Sequence, residues 1–389
     1  MKLFIQNGGE STYPHIRAQT NLIYGGQIMN FHLQFGYGMM KHSRKLLDKW
    51  DTGGVILSPR DLTDDQLVRL SSDIVETDGK VLFDPQCFIR DADHDRLTNH
   101  KYWQVFTSNS TSSIMGGAGA VEFLREVFKL NERLQTHYVI VPGLLADDPL
   151  NDWIDIQDSL NEEAVALNSD KPLLATVAVS NSVLKDESKT ERIIEVAKEW
   201  QVDGFYIVPE TPSSYLVDDP VWLFNLLNLS AGLKSLGKRV VVGYSNHQFL
   251  CLAVTGCDVM ASGTWLNVRS FPPEKFYNPD EGDIARRATW YYCPDALSEY
   301  KINFLDMAYN SNNLDLLYPS SDYDSEYADP LFNSTLPSSV NWGERYAFRH
   351  YLHSLYQQVN MTTKGTFNDT FDKQMELIDS AEELNRELP

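Results

Sequence analysis

Three carboxylates follow closely on short apolar runs of the chain: Asp61 after Gly54 to Leu57, Asp84 after Lys80 to Phe83, and Glu210 after Gly204 to Val208. Carboxylates converging near apolar surface suit general acid/base work or stabilisation of a cationic transition state, because one stays ionised while another is held protonated. A plainer use competes, since an Asp before Pro after a strand is also a turn residue and helix cap. Tyr37, Tyr244 and Trp265 stand at the ends of similar runs and either stack on a planar ligand or pack loops. Gln86, Asn246, Ser262 and Thr264 add polar groups at the same kind of position, so all seven are expected to bind substrate.

Other motifs point less far. Asp91, Asp93, His94 and Asp95 resemble a metal cluster but lack the Gly and terminal Glu of a calcium loop, which favours a solvated loop. Gly116, Gly117 and Gly119 before a helix offer backbone N–H groups to a phosphate, without the Lys and Ser/Thr of a P-loop. His350 and His353 share a helix face, yet no Cys or carboxylate pattern completes a zinc set. Cys87, Cys251, Cys257 and Cys293 lack CxxC spacing and read as reduced, core-filling thiols. Neither a metal nor another cofactor is expected.

Such residues need elements that bring them to one place. Eight runs rich in Val, Ile and Leu recur: Asn30 to Phe35, Gly54 to Leu57, Lys80 to Phe83, Tyr138 to Val141, Leu173 to Val179, Gly204 to Val208, Arg239 to Gly243 and Asp258 to Ala261. Stretches of helical periodicity separate them, among them Thr63 to Thr77, opened by a capping pattern, and Pro220 to Leu236, closed by Gly237. Eight strands alternating with helices predict an α/β fold, a (β/α)8 barrel whose strand ends share one mouth. A doubly wound sheet is the alternative, but no GxGxxG follows an early strand. The expected organisation is an N-terminal extension over 1–28, the barrel over 29–270, and a mostly helical C-terminal region over 271–389 packed on the barrel.

The 389 residues are 42% hydrophobic, 12% aromatic and 22% charged, enough to fill a sizeable core. No apolar run approaches the ~18 residues of a membrane span, and no signal-peptide pattern opens the chain, so a cytoplasmic protein without membrane contact is expected. With 33 Lys and Arg against 54 Asp and Glu, the formal charge is -21, which opposes general attraction to a polyanion and confines nucleic-acid binding to local basic spots. Candidate spots are Lys41 to Lys45, Lys234 with Lys238 and Arg239, Arg286 with Arg287, and Arg345 with Arg349 and His350.

The stretch from Arg239 to Phe271, RVVVGYSNHQFLCLAVTGCDVMASGTWLNVRSF, resembles the last two barrel units of the tRNA-guanine transglycosylase superfamily. Ile56 to Leu62 stand where that family has its second strand and loop. Val81 to Asp84 correspond to a strand ending in an active-site aspartate, and Gly204 to Val208 to its base-recognition strand. The resemblance spans about residues 29 to 305, by order and spacing, and is nearer to the DNA-modifying branch. It implies cleavage of the N-glycosidic bond of a base in DNA, with RNA as the alternative polymer and the base flipped into the barrel mouth. It makes Asp84 the principal carboxylate, with Glu210 or Asp61 assisting, and Arg269 a contact to the nucleic-acid backbone. In two respects the sequence departs from the family. Ala261 stands where the family has its nucleophilic Asp, three positions after Asp258, and the family's set of three Cys and one His for zinc is incomplete. Hydrolytic base removal is therefore expected ahead of exchange for a 7-deazaguanine base, and ahead of a noncatalytic binding subunit. A homodimer is the expected assembly if the chain associates with itself.

Overall fold

The computed structural model describes residues 28–148, 150–167, 170–212, 215–278, 289–334 and 336–388. The expected N-terminal extension, apart from residue 28, and the pair Arg286 and Arg287 lie outside the described residues.

All eight apolar runs are strands. They are β1 (Asn30–Gln34), β2 (Gly54–Leu57), β3 (Lys80–Phe83), β4 (Val139–Val141), β6 (Leu173–Val179), β7 (Gly204–Pro209), β8 (Arg239–Val242) and β9 (Val259–Ser262). A ninth, β5 (Leu145–Ala146), pairs with the end of β6 and is too short to show a period in the sequence. The strands pair in parallel in the order β3-β2-β1-β9-β8-β7-β6-β4. The ring closes between β4 and β3, where the His137 N–H donates to the Val81 carbonyl at 2.9 Å and the Val81 N–H to His137 Nδ1 at 3.3 Å. The chain is thus a (β/α)8 barrel. Its strands are buried on both faces, which is why they read as continuous apolar runs and not as alternations.

Helices α1 (Met40–Trp50), α2 (Asp64–Val75), α3 (Ala118–Arg133), α4 (Leu150–Ala166), α5 (Glu187–Ala197) and α6 (Pro220–Ser235) flank the strands. The Thr63 hydroxyl and the Gln66 side chain exchange the two bonds of a capping box at the start of α2. Asp219 caps α6 ahead of Pro220, and Gly237, at φ 74°, follows its end. Between β8 and β9 the chain winds as a 3-10 helix, His247–Thr255, where periodicity predicts an ordinary helix. Side chains hold its start: Asn246 accepts from the Gln248 N–H, and Gln248 clamps Val217 through both its carbonyl and its N–H.

Beyond the barrel, β10 (Trp290–Cys293) and β11 (Ser298–Lys301) form an antiparallel hairpin, followed by α7 (Glu344–Thr362) and α8 (Phe367–Glu387). Tyr351, Leu352, Leu355 and Val359 of α7 belong to the barrel's own core. Tyr291, Leu305, Leu317 and Trp342 build a second, smaller core. No helix among the described residues is long and apolar enough to cross a membrane.

At the floor of the barrel Asp258 ties three elements together. Its carboxylate accepts from the Val240 N–H at 2.7 Å and pairs with Lys234 of α6 at 2.7 Å, while its carbonyl accepts from the Asn30 N–H. Both side chains are buried, at 8% and 6% exposure. Removing one partner of a buried pair leaves an uncompensated charge. Lys234→Met is therefore expected to lower the unfolding free energy by about 3 kcal/mol, read from urea melts. A wild-type midpoint would remove the pair from the account of the floor.

Candidate active site at the barrel mouth

Asp84 follows β3 directly at the C-terminal end of the barrel and is 1% exposed. Its turn is held by Tyr102, whose hydroxyl donates to the Pro85 carbonyl at 2.8 Å. Gln86, at φ 54°, brings its N–H back onto Asp84 Oδ1 at 3.0 Å. Oδ2 accepts from two phenols, Tyr206 of β7 at 3.1 Å and Tyr244, after β8, at 3.0 Å. Gly243 makes room for the first of these, because a Cβ there would stand 2.5 Å from the Tyr206 hydroxyl.

The network continues outward. Gln86 Nε2 donates to the Tyr244 oxygen at 2.9 Å, and Gln86 Oε1 accepts from the Arg60 N–H and the Ser58 hydroxyl, each at 3.2 Å. That hydroxyl also reaches Asp61 Oδ2 at 2.8 Å. On the other side the Gln34 amide lies 3.3 Å from the Tyr206 oxygen. A phenol has one proton, and Asp84 is the nearer acceptor for it. Turning the Gln34 amide so that its nitrogen donates to Tyr206 also gives a partner to Gln34 Nε2, which otherwise has none among the described residues. Two Gln-to-Tyr chains then deliver their protons to one carboxylate oxygen.

Burial pushes the Asp84 carboxyl from its ordinary 3.8 up to about 6, against the pull of the Gln86 N–H, the two phenols and the Arg60 charge. Burial likewise drives Tyr206 and Tyr244 well above 10, so both stay protonated and donate. The result is a carboxylate ionised at neutral pH whose proton affinity lies near neutrality, the range in which a general base works best.

The other expected carboxylates do not join Asp84 directly. Glu210 is at the same end of the barrel, but its Oε2 accepts from the Asn181 N–H at 2.8 Å, and its backbone bridges to Phe271. Burial raises its proton affinity, and Asp147 and Glu274 add to the effect. Asp61 reaches Asp84 only indirectly, through Ser58 and then Gln86, which bonds Asp84 by its own N–H and through Tyr244. The three carboxylates thus share a mouth without sharing a hydrogen bond.

Against Tyr244 lies a cluster of phenyl rings. Phe88, Phe271 and Phe276 have centroids 5.0 to 5.7 Å apart, and the Phe271 ring is 5.3 Å from that of Tyr244. The Arg60 guanidinium sits 5.0 Å over Phe276 and donates to the Lys275 carbonyl.

Several expected binding residues have structural work instead. Asn246 is spent as a cap, accepting from Gln248 and donating to the Tyr215 carbonyl at 3.0 Å. Tyr37 points outward at 60% exposure, and its carbonyl accepts from the Trp265 indole at 3.0 Å, so these two aromatics pin the rim. Ser262 and Thr264 are buried at the end of β9, and the Thr264 hydroxyl has no partner among the described residues. Arg269 is the clearest correction. It is 5% exposed, donates to the Gly263 carbonyl, pairs with Glu299 at 2.8 Å and lies 3.4 Å over the Tyr351 ring, so it faces no phosphate.

The weaker motifs resolve similarly. Asp91, Asp93 and Asp95 receive Tyr277 and Asn278 and hold down the segment after Phe276. A Cβ on Gly117 would meet the Glu163 carboxylate at 2.6 Å, so an anion of the protein already stands at the start of α3. His350 engages Tyr292 and Ser325 through its two nitrogens, and His353 accepts from the Trp50 indole. Among the described residues no three His, Cys, Asp or Glu side chains gather as a metal site.

Tyr206 and Arg60 are the residues that sequence reasoning missed as site components. One signal was present: Tyr206 is the only side chain with a polar group between Gly204 and Val208. Inside a closed barrel its hydroxyl must find a buried partner.

The fold and this carboxylate define a (β/α)8-barrel protein with its polar centre at the C-terminal mouth. No family model and no curated protein matches the chain. Among solved structures, a mandelate racemase/muconate lactonizing family protein from Azoarcus sp. EbN1 is similar at 10% identity and a TM-score of 0.32, over 72% of this chain. The match spans 58% of that protein's length, and a likeness this loose carries no argument about chemistry.

Proposed function

We propose that the protein cleaves the N-glycosidic bond of a base in DNA by hydrolysis, with Asp84 facing the sugar. The observation that carries this reading is the Asp84 carboxylate itself, held by three donors and poised near neutrality at the barrel mouth. The resemblance to the tRNA-guanine transglycosylase superfamily supplies the reaction class. As the bond to the base breaks, its electron pair leaves with the base and positive charge builds at the anomeric carbon. An ionised carboxylate fixed beside that carbon stabilises the charge. Water then adds there and gives up a proton, which Asp84 is suited to take. The flipped base would enter the mouth beside the phenyl cluster, and its unstacking from the DNA would cost a few kcal/mol. Incubation of the pure protein with DNA should yield free base and abasic sites with no second base added. Turnover that requires an added 7-deazaguanine base and leaves the strand intact would replace hydrolysis by exchange.

A noncatalytic binding subunit is the second reading, and two observations favour it: Ala261 at the family's nucleophile position, and the burial of Asp84 at 1% exposure. Its signature is DNA binding with neither base release nor exchange.

A further inference from the structure

Two basic clusters that are some 300 residues apart in the chain meet in the fold. The row on α1 and Arg349 of α7 line a groove of about 750 Å³. Five cations and three carboxylates line it. Arg44 pairs with Asp73, and Lys49 with Glu326 at 3.4 Å. Lys41, Lys45 and Arg349 are left over, with Asp48 as the remaining carboxylate; among the described residues none of these three cations has an ion pair or hydrogen bond.

Arg349 decides what the groove is for. Its side chain is 7% exposed, and its buried Nε has no partner. Burial pulls its proton affinity down, with the neighbouring Arg345 charge adding to that and Tyr327 and Glu326 opposing it. A buried guanidinium N–H without a partner is costly, and the cost falls when an anion accepts from it; the planar fork matches a phosphate.

The shape of the charge points to a chain of phosphates. Lys41, Lys45 and Lys49 recur every fourth residue on α1, so they stand in one row, about 12 Å long at 1.5 Å per residue. One strand of DNA carries a charge about every 3.4 Å along the helix axis. A lone small anion would engage Arg349 and leave the row unused. The groove runs along the side of the barrel, from Lys41 near the mouth to Lys49, Asp73 and Thr77 near the floor. α1 begins directly after the turn that ends β1, and Phe348, next to Arg349, packs on Trp265 at 4.7 Å and on His42 at 6.0 Å.

We propose that this groove holds the phosphodiester backbone of a DNA strand, with Arg349 on one phosphate and Lys41 and Lys45 on its neighbours. The proposal rests on the reading above for its partner and not for its chemistry. It moves the backbone contact from Arg269 to a face where cations are free, on a chain whose overall charge of -21 opposes binding elsewhere.

The test is fluorescence anisotropy of a labelled DNA oligonucleotide with the full chain across a salt series. Wild type should bind with an affinity that falls linearly in log salt. Lys41→Ala with Lys45→Ala should weaken binding about 10-fold or more and flatten the slope by roughly 1.4 to 1.8, because each phosphate contact contributes about 0.7 to 0.9. Arg349→Met should weaken binding comparably while its Tm holds or rises, since a buried unpaired N–H is gone. Asp84→Asn should bind as wild type does. Binding without base release leaves the groove standing and removes only the glycosidic reading. No binding by wild type, unchanged affinity and slope in the double variant, or a fall in Tm for Arg349→Met would overturn the groove. Displacement of the oligonucleotide by an equal concentration of inorganic phosphate would overturn the strand in favour of a single anion.

Discussion

Asp84→Asn is expected to lower the rate of base release about 100-fold or more, because a charge that acts mainly in the transition state is lost. The same variant is expected to be more stable than wild type at neutral and alkaline pH. The folded carboxyl holds its proton up to about 6, against 3.8 ordinarily, so the native state takes up protons more readily than the unfolded chain. Its contribution to stability is complete below the ordinary value and is lost as pH rises through the folded one. The difference corresponds to about 3 kcal/mol at full ionisation. Asn carries no charge at any pH and escapes that loss; its amide oxygen keeps the two phenol hydrogen bonds, and its NH2 gives up the one from the Gln86 N–H. Melts at about pH 8 should show the variant above wild type, with the gap closing toward pH ~4. Affinity for DNA should be unchanged. A variant with wild-type activity would mean that the chemistry is elsewhere. A variant less stable than wild type at every pH would mean that the carboxylate is a structural keystone and not a strained functional group.

Arg269→Glu is expected to destabilise the protein by about 5 kcal/mol, the upper range for breaking a buried ion pair. Arg269 joins three parts of the chain: the loop after β9 through the Gly263 carbonyl, the β11 strand through Glu299, and α7 through the face of Tyr351. Burial works against its charge, yet Glu299, then Tyr351 and Tyr215, hold its proton affinity above the ordinary value. A glutamate in its place would set two carboxylates side by side in a buried site. Had Arg269 been a phosphate contact, reversal would weaken binding to all DNA sequences and leave stability alone. Denaturant melts separate the two outcomes. Arg269→Met combined with Glu299→Met should restore much of the lost stability, since apolar replacement of a buried pair is often neutral or better. A single variant that melts like wild type would show that the pair does not fasten the C-terminal region to the barrel.

What the sequence determines by itself is whatever is written in short-range order. Most of the strands were legible because burial on both faces demands a nearly continuous apolar run, and a few neighbouring residues display it; β1, with Asn30, His32 and Gln34 between its apolar residues, is the exception. The capping box at Thr63 and the stop at Gly237 were legible for the same reason: their partners lie within one helical turn. Strand order follows almost directly, because parallel neighbours linked by helices leave few ways to close a ring. Asp84 could be found because strand-end position is a local property in a barrel.

Partners were decided by the tertiary structure alone. Tyr206 stands 122 residues from Asp84 in the chain, and only the closure of the ring sets its hydroxyl on that carboxylate. Strand-end position does not say whether a side chain turns into the cavity, into a cap or out to solvent, which is why Asn246 caps Gln248 and Tyr37 faces outward. Nor does the charge of Arg269 reveal that Glu299 and Tyr351 enclose it, or that Arg349, 80 positions later by the numbering, has a buried Nε without a partner among the described residues. The energy of a charged or polar side chain depends on which groups replace its water. Those groups arrive from distant segments, so no window of the sequence contains the answer.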